Sequence, residues 1–341
     1  MASPLPSPSA LLREQARACA VLGSPLYAEL LDRAADDAEI CALLDGADLS
    51  VPALRLLGTV HRIVLEGRAP GLAAHYPTAG GAAGPAGAWP AFRATALAHA
   101  DEVRAGLAVA PQTNEVGRAA ALTAGLLETA RLTGLPVRLL EIGASAGLNL
   151  RADRFRYTFP GGSHGPADSP VVLAGAWRGP ALPPVDAPLE IAERSGCDLA
   201  PVDPADRVTL LSYVWPDQAE RVARLDAARA VALEVPAEVV RAGAAEFLRG
   251  LEPRAGAVTV VWHSVMWQYL PAAERAGVAE AVAGAAALAA RDASVAHLAF
   301  EPADETDAQV PPVLSLRLWP HAPARRVLAD APPHGLPTAW R

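Results

Sequence analysis

A histidine and a glutamate, each closing an apolar run, are the residues of this chain best suited to acid–base chemistry. The first run, Ala257 to Trp262, leads directly into His263 and Ser264, with Trp267, Gln268 and Tyr269 just beyond. The next such run ends in Phe300-Glu301-Pro302. Ligands of open parallel sheets sit outside the carboxyl ends of the strands, where both residues would fall. An imidazole, with an ordinary pKa of about 6.5, suits a general base that deprotonates an acceptor. Glu301 would orient His263 or bind an acceptor amine or hydroxyl. Trp262 and Trp267 would flank a planar or cationic group. His297, inside the second run, reads as packing, and the plainer account of His263 is a satisfied core histidine.

A second constellation lies upstream, in Glu141-Ile142-Gly143-Ala144-Ser145-Ala146-Gly147-Leu148-Asn149. An apolar run, Val137 to Ile142, feeds a small-residue turn, and a helix is expected over 146–153. Small residues let a ligand approach the backbone, and a helix N-terminus offers N–H groups to it. The same residues spell G-x-S-x-G, the nucleophile elbow of α/β-hydrolases, with Ser145 as nucleophile and Glu301 and His334 following in triad order. A hydrolase elbow comes after several strands, however, and everything before Val137 reads as helix.

These residues need a scaffold, and the chain is long enough to supply one. Its 341 residues, 52% hydrophobic and 19% charged, suit a globular α/β protein with ample core. Helical spacing runs through 9–45 (interrupted at Gly23-Ser24-Pro25), 52–66, 91–108 and 115–133, so residues 1–134 are expected to form a helical N-terminal subdomain. From residue 135 to 341 the pattern changes. Strands are expected at 137–142, 155–159, 189–193, 208–214, 229–234, 257–262, 295–300, 313–319 and 325–329, and helices at 217–227, 237–250 and 272–290. That alternation predicts a mostly parallel, Rossmann-type sheet. Residues 160–188 hold twelve Gly or Pro in 29 and read as an irregular insertion of the kind that often binds or covers a ligand. LSLRLW at 314–319, the turn PHAPA and RRVLA predict a C-terminal antiparallel hairpin.

Composition excludes several functions. The chain has no lysine; all 29 basic residues are arginine. A pyridoxal phosphate enzyme, a Schiff-base aldolase and a Walker-A ATPase, as usually built, each require one. A net charge of −8 argues against nucleic acid and anionic membranes as partners. No apolar run is long enough for a membrane span. The N-terminus lacks the charged and apolar regions of a secretion signal, and Cys19, Cys41 and Cys197 are far apart, which fits a reducing cytoplasm and argues against a metal ribbon. A small-molecule substrate is the expected partner, with the oligomeric state left open.

A parallel sheet ending in an antiparallel hairpin resembles class I S-adenosylmethionine-dependent methyltransferases. The runs TNEV (113–116), EIGASAGLNL (141–150), RSGCDLAPVD (194–203), YVWPDQ (213–218), VVWHSVMWQYL (260–270) and FEP (300–302) are together similar to the bacterial family catalogued as domain of unknown function 2332. The resemblance covers nearly the whole chain and implies a methyltransferase-like fold. Glu141, Gly143 and Gly147 then resemble the acidic-glycine motif that meets S-adenosylmethionine, with Ser145 where many methyltransferases have glycine. Such enzymes place an acid for the ribose hydroxyls at the end of the second strand. Asp198 is the expected residue, ahead of Asp153, Asp168 and Glu193, although an Arg194–Asp198 ion pair is the structural alternative. Asn149 lies in the motif, and Asn114 precedes a helix that runs into it, so both are expected near the cofactor. The plainer reading of Asn114 or Thr113 is a helix N-cap. YVWPDQ reads as a helix start. A non-catalytic binding protein on the same fold is the alternative to an enzyme.

Overall fold

The computed structural model describes residues 7–45, 51–304 and 310–341. The start of the N-terminal segment read for a secretion signal lies outside these residues. The chain divides into two compact units, one of residues 1–113 with 206–223, the other of residues 114–205 with 224–341. The division cuts across the expected boundary at 134, because residues 114–134 belong with the sheet and a later segment returns to the helices.

The first unit is helical: α1 (Pro8–Val21), α2 (Pro25–Ala35), α3 (Ala38–Leu43), α4 (Pro52–Leu65), α5 (Pro70–Ala73), α6 (Ala88–Ala98) and α7 (Ala100–Leu107). Prolines open α1, α2 and α4, where a missing N–H costs nothing. Ser7, Ser24 and Asp37 cap the first three helices through their side chains. Leu12, Leu30, Leu56, Val60 and Phe92 are fully buried in its core.

The later segment joins that core through YVWPDQ. Trp215 packs among the helices. Asp217 accepts from Ser24 Oγ at 2.6 Å and from the Leu26 N–H at 2.9 Å, and Gln218 Nε2 donates to the Leu22 carbonyl at 2.7 Å. The motif is therefore a strap across the start of α2 as well as a helix start.

The second unit begins with a 3₁₀ turn at Val116–Arg118 and α8 (Ala119–Thr133), ended by Gly134 in the left-handed region. Its strands are β1 (Val137–Ile142), β2 (Arg156–Phe159), β3 (Gly162–His164), β4 (Val172–Leu173), β5 (Trp177–Arg178) and β6 (Ile191–Asp198). The chain then forms α9 (Arg207–Ser212) in the first unit and passes back within α10 (Ala219–Glu234). It continues as β7 (Glu238–Arg241), α11 (Ala244–Phe247), β8 (Ala257–Ser264), α12 (Ala272–Ala287), β9 (Ala293–Pro302), β10 (Pro312–Trp319), β11 (Ala322–Asp330) and β12 (Thr338–Trp340).

The large sheet has the order β5-β12-β11-β10-β9-β8-β1-β6-β7. The five strands from β7 to β9 are mutually parallel, and β10 and β11 form the expected antiparallel hairpin beside them. The fold is thus α/β, with helices followed by a largely parallel sheet and antiparallel C-terminal strands.

Pairing fixes which side chains share a face, since alternate residues of a strand point to opposite sides. Leu139, Glu141, Val260, Trp262 and Leu298 lie on one face. Gly125 of α8 meets this face so closely that an added methyl would stand 2.7 Å from Leu298 Cδ2. Leu140, Ile142 and Val261 lie on the other, packed with Ala244 and Leu248 of the α11 region and with Val278 and Val282 of α12.

Several expected elements differ. The strands expected at 208–214 and 229–234 are parts of α9 and α10, and the helix expected at 237–250 is β7 followed by the short α11. The 155–159 strand pairs in a separate sheet of order β3-β2-β4. The insertion at 160–188 is not wholly irregular. It contributes β3, β4 and β5, and its Trp177 is buried, stacked on Tyr157 at 5.1 Å and donating to the Ala120 carbonyl at 2.9 Å. No helix among the described residues is long and apolar enough to cross a membrane.

Candidate functional site

At the carboxyl end of β1 the chain turns through Gly143, Ser145 and Gly147 with φ of 70°, 54° and 64°. Glycine takes this region freely, but Ser145 pays for it, and backbone strain of this kind persists where surroundings impose it. Here they do: the Ser145 N–H donates to Asp198 Oδ2 at 2.9 Å. Asp198 Oδ1 accepts from the Ala200 N–H at 2.9 Å, so the acid at the end of β6 ties two loops together. A short 3₁₀ segment, Leu148–Arg154, follows in place of the expected α-helix. Its Leu148 N–H donates to Asn114 Oδ1 at 3.0 Å. Asn114 thus lies beside the motif and serves the turn from the segment before α8. Asn149 Nδ2 donates to the Glu115 carbonyl at 3.2 Å.

Glu141 is buried, flanked in the sheet by Gly196 and Trp262. Burial pushes its carboxyl up to about 8, against the opposing influence of the Trp262 indole, Arg151 and Arg118. The indole is close enough to favour the charged form, yet neither Glu141 Oε2 nor Trp262 Nε1 has a partner in hydrogen-bond geometry. Ser145 Oγ and Asn149 Oδ1 are also buried without one. Buried polar atoms are normally paired, and these four are not.

His263 and Glu301 are brought together. His263 Nδ1 stands 2.7 Å from Glu301 Oε1, and the same oxygen accepts from the Met266 N–H at 3.1 Å and the Trp267 N–H at 3.4 Å. The loop after β8 therefore folds over the end of β9 and aims its N–H groups at the glutamate. The other face of the arrangement was missed by sequence reasoning. His263 Nε2 lies 3.0 Å from His297 Nε2, so His297 is a member of the site and not mere packing. The usable signal was spacing: His297 and Glu301, four apart on one strand, must share a face. Among the described residues no group of His, Cys, Asp and Glu fits a metal ion.

The two constellations occupy opposite faces of the sheet, because Trp262 and His263 are adjacent in β8. Trp262 is on the Glu141 face, while Trp267 stacks on His263 with ring centroids 4.9 Å apart. The tryptophans therefore do not flank a common group. What links the constellations is Met266: a methyl added to Gly143 would stand 3.0 Å from Met266 Cε, and the Met266 N–H reaches Glu301.

Arg194 pairs with Asp153, at 2.6 and 3.0 Å, and not with Asp198. Glu193 pairs with Arg138 and Arg254. Glu301 engages His263, not His334, and Ser145 Oγ has no hydrogen-bond partner, so no Ser145 triad is assembled. Two cavities, of about 320 Å³ beside Glu128, Arg131 and Trp340 and about 280 Å³ beside Arg68 and His99, contain none of the expected site residues.

Fold and site together define an α/β protein whose polar chemistry gathers at the carboxyl edge of a parallel sheet. The chain belongs to the family described as "Uncharacterized protein conserved in bacteria (DUF2332)", whose model matches residues 9–340. No curated protein and no solved structure matches it.

Proposed function

We propose that this protein binds S-adenosylmethionine at the carboxyl edge of β1 and β6 and transfers its methyl group to a small molecule. The observation that carries the reading is the parallel order β7-β6-β1-β8-β9, in which the chain runs from β1 through β6 to β7 on one side and then crosses to β8 and β9 on the other. Such a switch point opens a crevice where nucleotide-like ligands bind. The Gly143–Gly147 turn, with its unpartnered Glu141, Ser145 and Asn149 atoms, stands there. These residues suit the polar amino-acid end of the cofactor, and Asp198, at the tip of β6, would accept from its ribose hydroxyls. The cofactor, when bound, supplies an electrophilic methyl group.

The chain's own residues would position the acceptor and handle its proton. Holding cofactor and acceptor in line replaces a bimolecular encounter. The His263–Glu301 pair, joined at 2.7 Å, supplies the acid–base function. The test is transfer of labelled methyl from S-adenosylmethionine into a pool of small metabolites, with wild type and His263→Ala compared. The reading expects labelled product from wild type only. Equal labelling by His263→Ala would remove the residue from the mechanism.

The engagement of turn donors favours a second reading, a non-catalytic binding protein on the same fold. The Ser145 and Leu148 N–H groups already have protein acceptors, Asp198 and Asn114. Cofactor binding without label transfer to any acceptor would favour that reading.

A further inference from the structure

We infer that Glu301, His263 and His297 form a proton relay, running from the carboxyl edge of the sheet to the half-buried His297 at mid-strand. The inference deepens the acid–base role proposed above and, as a catalytic device, rests on it. It also reverses the roles that the sequence suggests for the pair. Both ring nitrogens of His263 are occupied, Nδ1 by Glu301 at 2.7 Å and Nε2 by His297 at 3.0 Å, so His263 has no nitrogen left to meet an acceptor. Glu301 has an oxygen left: Oε2 is buried and without a hydrogen-bond partner, while Oε1 takes His263 and the loop N–H groups. Glu301 Oε2 is then the group that meets the ligand, and His263 and His297 are positioning residues behind it.

The transfer balances without any change of electrons. As Oε2 takes a proton from the ligand, Oε1 yields the proton it shares with His263 to Nδ1. His263 Nε2 passes a proton to His297 Nε2, and the other nitrogen of His297 gives one to solvent. The reverse sequence delivers a proton inward. A neutral imidazole both donates and accepts, as a relay requires. Burial, with His263, Arg317 and Arg325 facing it, holds His297 down at about 3, so it is neutral near pH 7. The groups packed around the chain do not compete for its proton. Arg317 of β10 is paired in register with His297, Trp267 stacks on His263, and α12 brings Val278 and Val282 to this face. Glu274 of α12 is engaged with the Ala245 N–H.

The relay is read on the full chain with no ligand present, so its failure and the failure of cofactor binding are separate results. In nitrogen-15 spectra of the imidazoles, the hydrogen-bonded Nε2–H of His263 exchanges with solvent through His297. His297→Gln keeps an amide for the hydrogen bond but cannot pass a proton. It is expected to slow that exchange about a hundredfold with the melting temperature unchanged. His297→Gly, which leaves space for a ring, should be rescued by added imidazole. Unchanged exchange in His297→Gln overturns the relay. Should that variant not fold, two other results decide: exchange indifferent to added imidazole in His297→Gly, or a wild-type His263 tautomer with its proton on Nδ1 and none on Nε2, overturns it equally.

Discussion

Glu141 is a residue whose surroundings constrain its chemistry. Its carboxyl is held at about 8, above its ordinary value of 4.5, chiefly by burial. The folded chain therefore keeps a proton that the unfolded chain releases at about 4.5, and stability falls as pH rises between those values. Glu141→Gln removes the dependence. Denaturant titrations across that window should show a flatter profile for the variant, with a difference of a few kcal/mol, as an order of magnitude, by about pH 8. Parallel profiles would mean that Glu141 is not protonated in the fold. His263→Ala carries a different expectation. It should abolish methyl transfer and leave affinity for S-adenosylhomocysteine unchanged, because His263 and Glu141 lie on opposite faces of the sheet; calorimetric titration of the variant checks this.

The elements that place these residues were unequally legible. β1 and β8 stand out because apolar runs end in a glycine turn or a polar cluster. Short apolar runs without such punctuation are ambiguous between strand and helix. VTLLSYV and AVALEV, rich in β-branched and apolar residues, belong to α9, α10 and their flanks, where packing overrides propensity. EVVR is a four-residue strand, β7, too short to show a period of its own. Pairing partners were beyond reach for the same reason, so the separation of Glu141 from His263 and the union of His263 with His297 appear only once register is known. Register also makes a test. Gly196 pairs with Glu141, and a methyl there would stand 2.8 Å from the Glu141 carbonyl oxygen and 2.9 Å from Ala144 Cβ. Gly196→Ala should destabilise the protein by about 1–3 kcal/mol and weaken any ligand held by the turn. A melting temperature equal to wild type would show that β1 and β6 are less tightly joined than this close approach requires.

On the scale of the whole molecule, the chain returns to its helical unit after β6, and YVWPDQ secures that return. The sequence marked the motif but not its partners, Ser24, Leu26 and Leu22, which lie nearly 200 residues away. The same unit holds a buried histidine. His61 has its nitrogens 3.1 Å from the Ser212 carbonyl and 2.7 Å from Thr78 Oγ1, and burial lowers its pKa from 6.5 to about 3. The unfolded chain protonates this ring near 6.5 and the folded chain does not, so its contribution is complete above that pH and is lost as pH falls toward 3. His61→Gln should lose less stability than wild type between about pH 7 and pH 4, measured by thermal unfolding. An equal acid loss in both would contradict the buried neutral ring.

The proposed activity requires that the carboxyl edge of β1 take an adenosyl ligand. Calorimetric titration of the full chain with S-adenosylhomocysteine, paired with thermal unfolding, measures this directly. Saturable binding is predicted, with about 2.7 kcal/mol of added stability at a hundredfold excess over Kd, lost when Gly143 is replaced by valine. No heat and no stabilisation at millimolar ligand, in a chain that unfolds cooperatively, would contradict it.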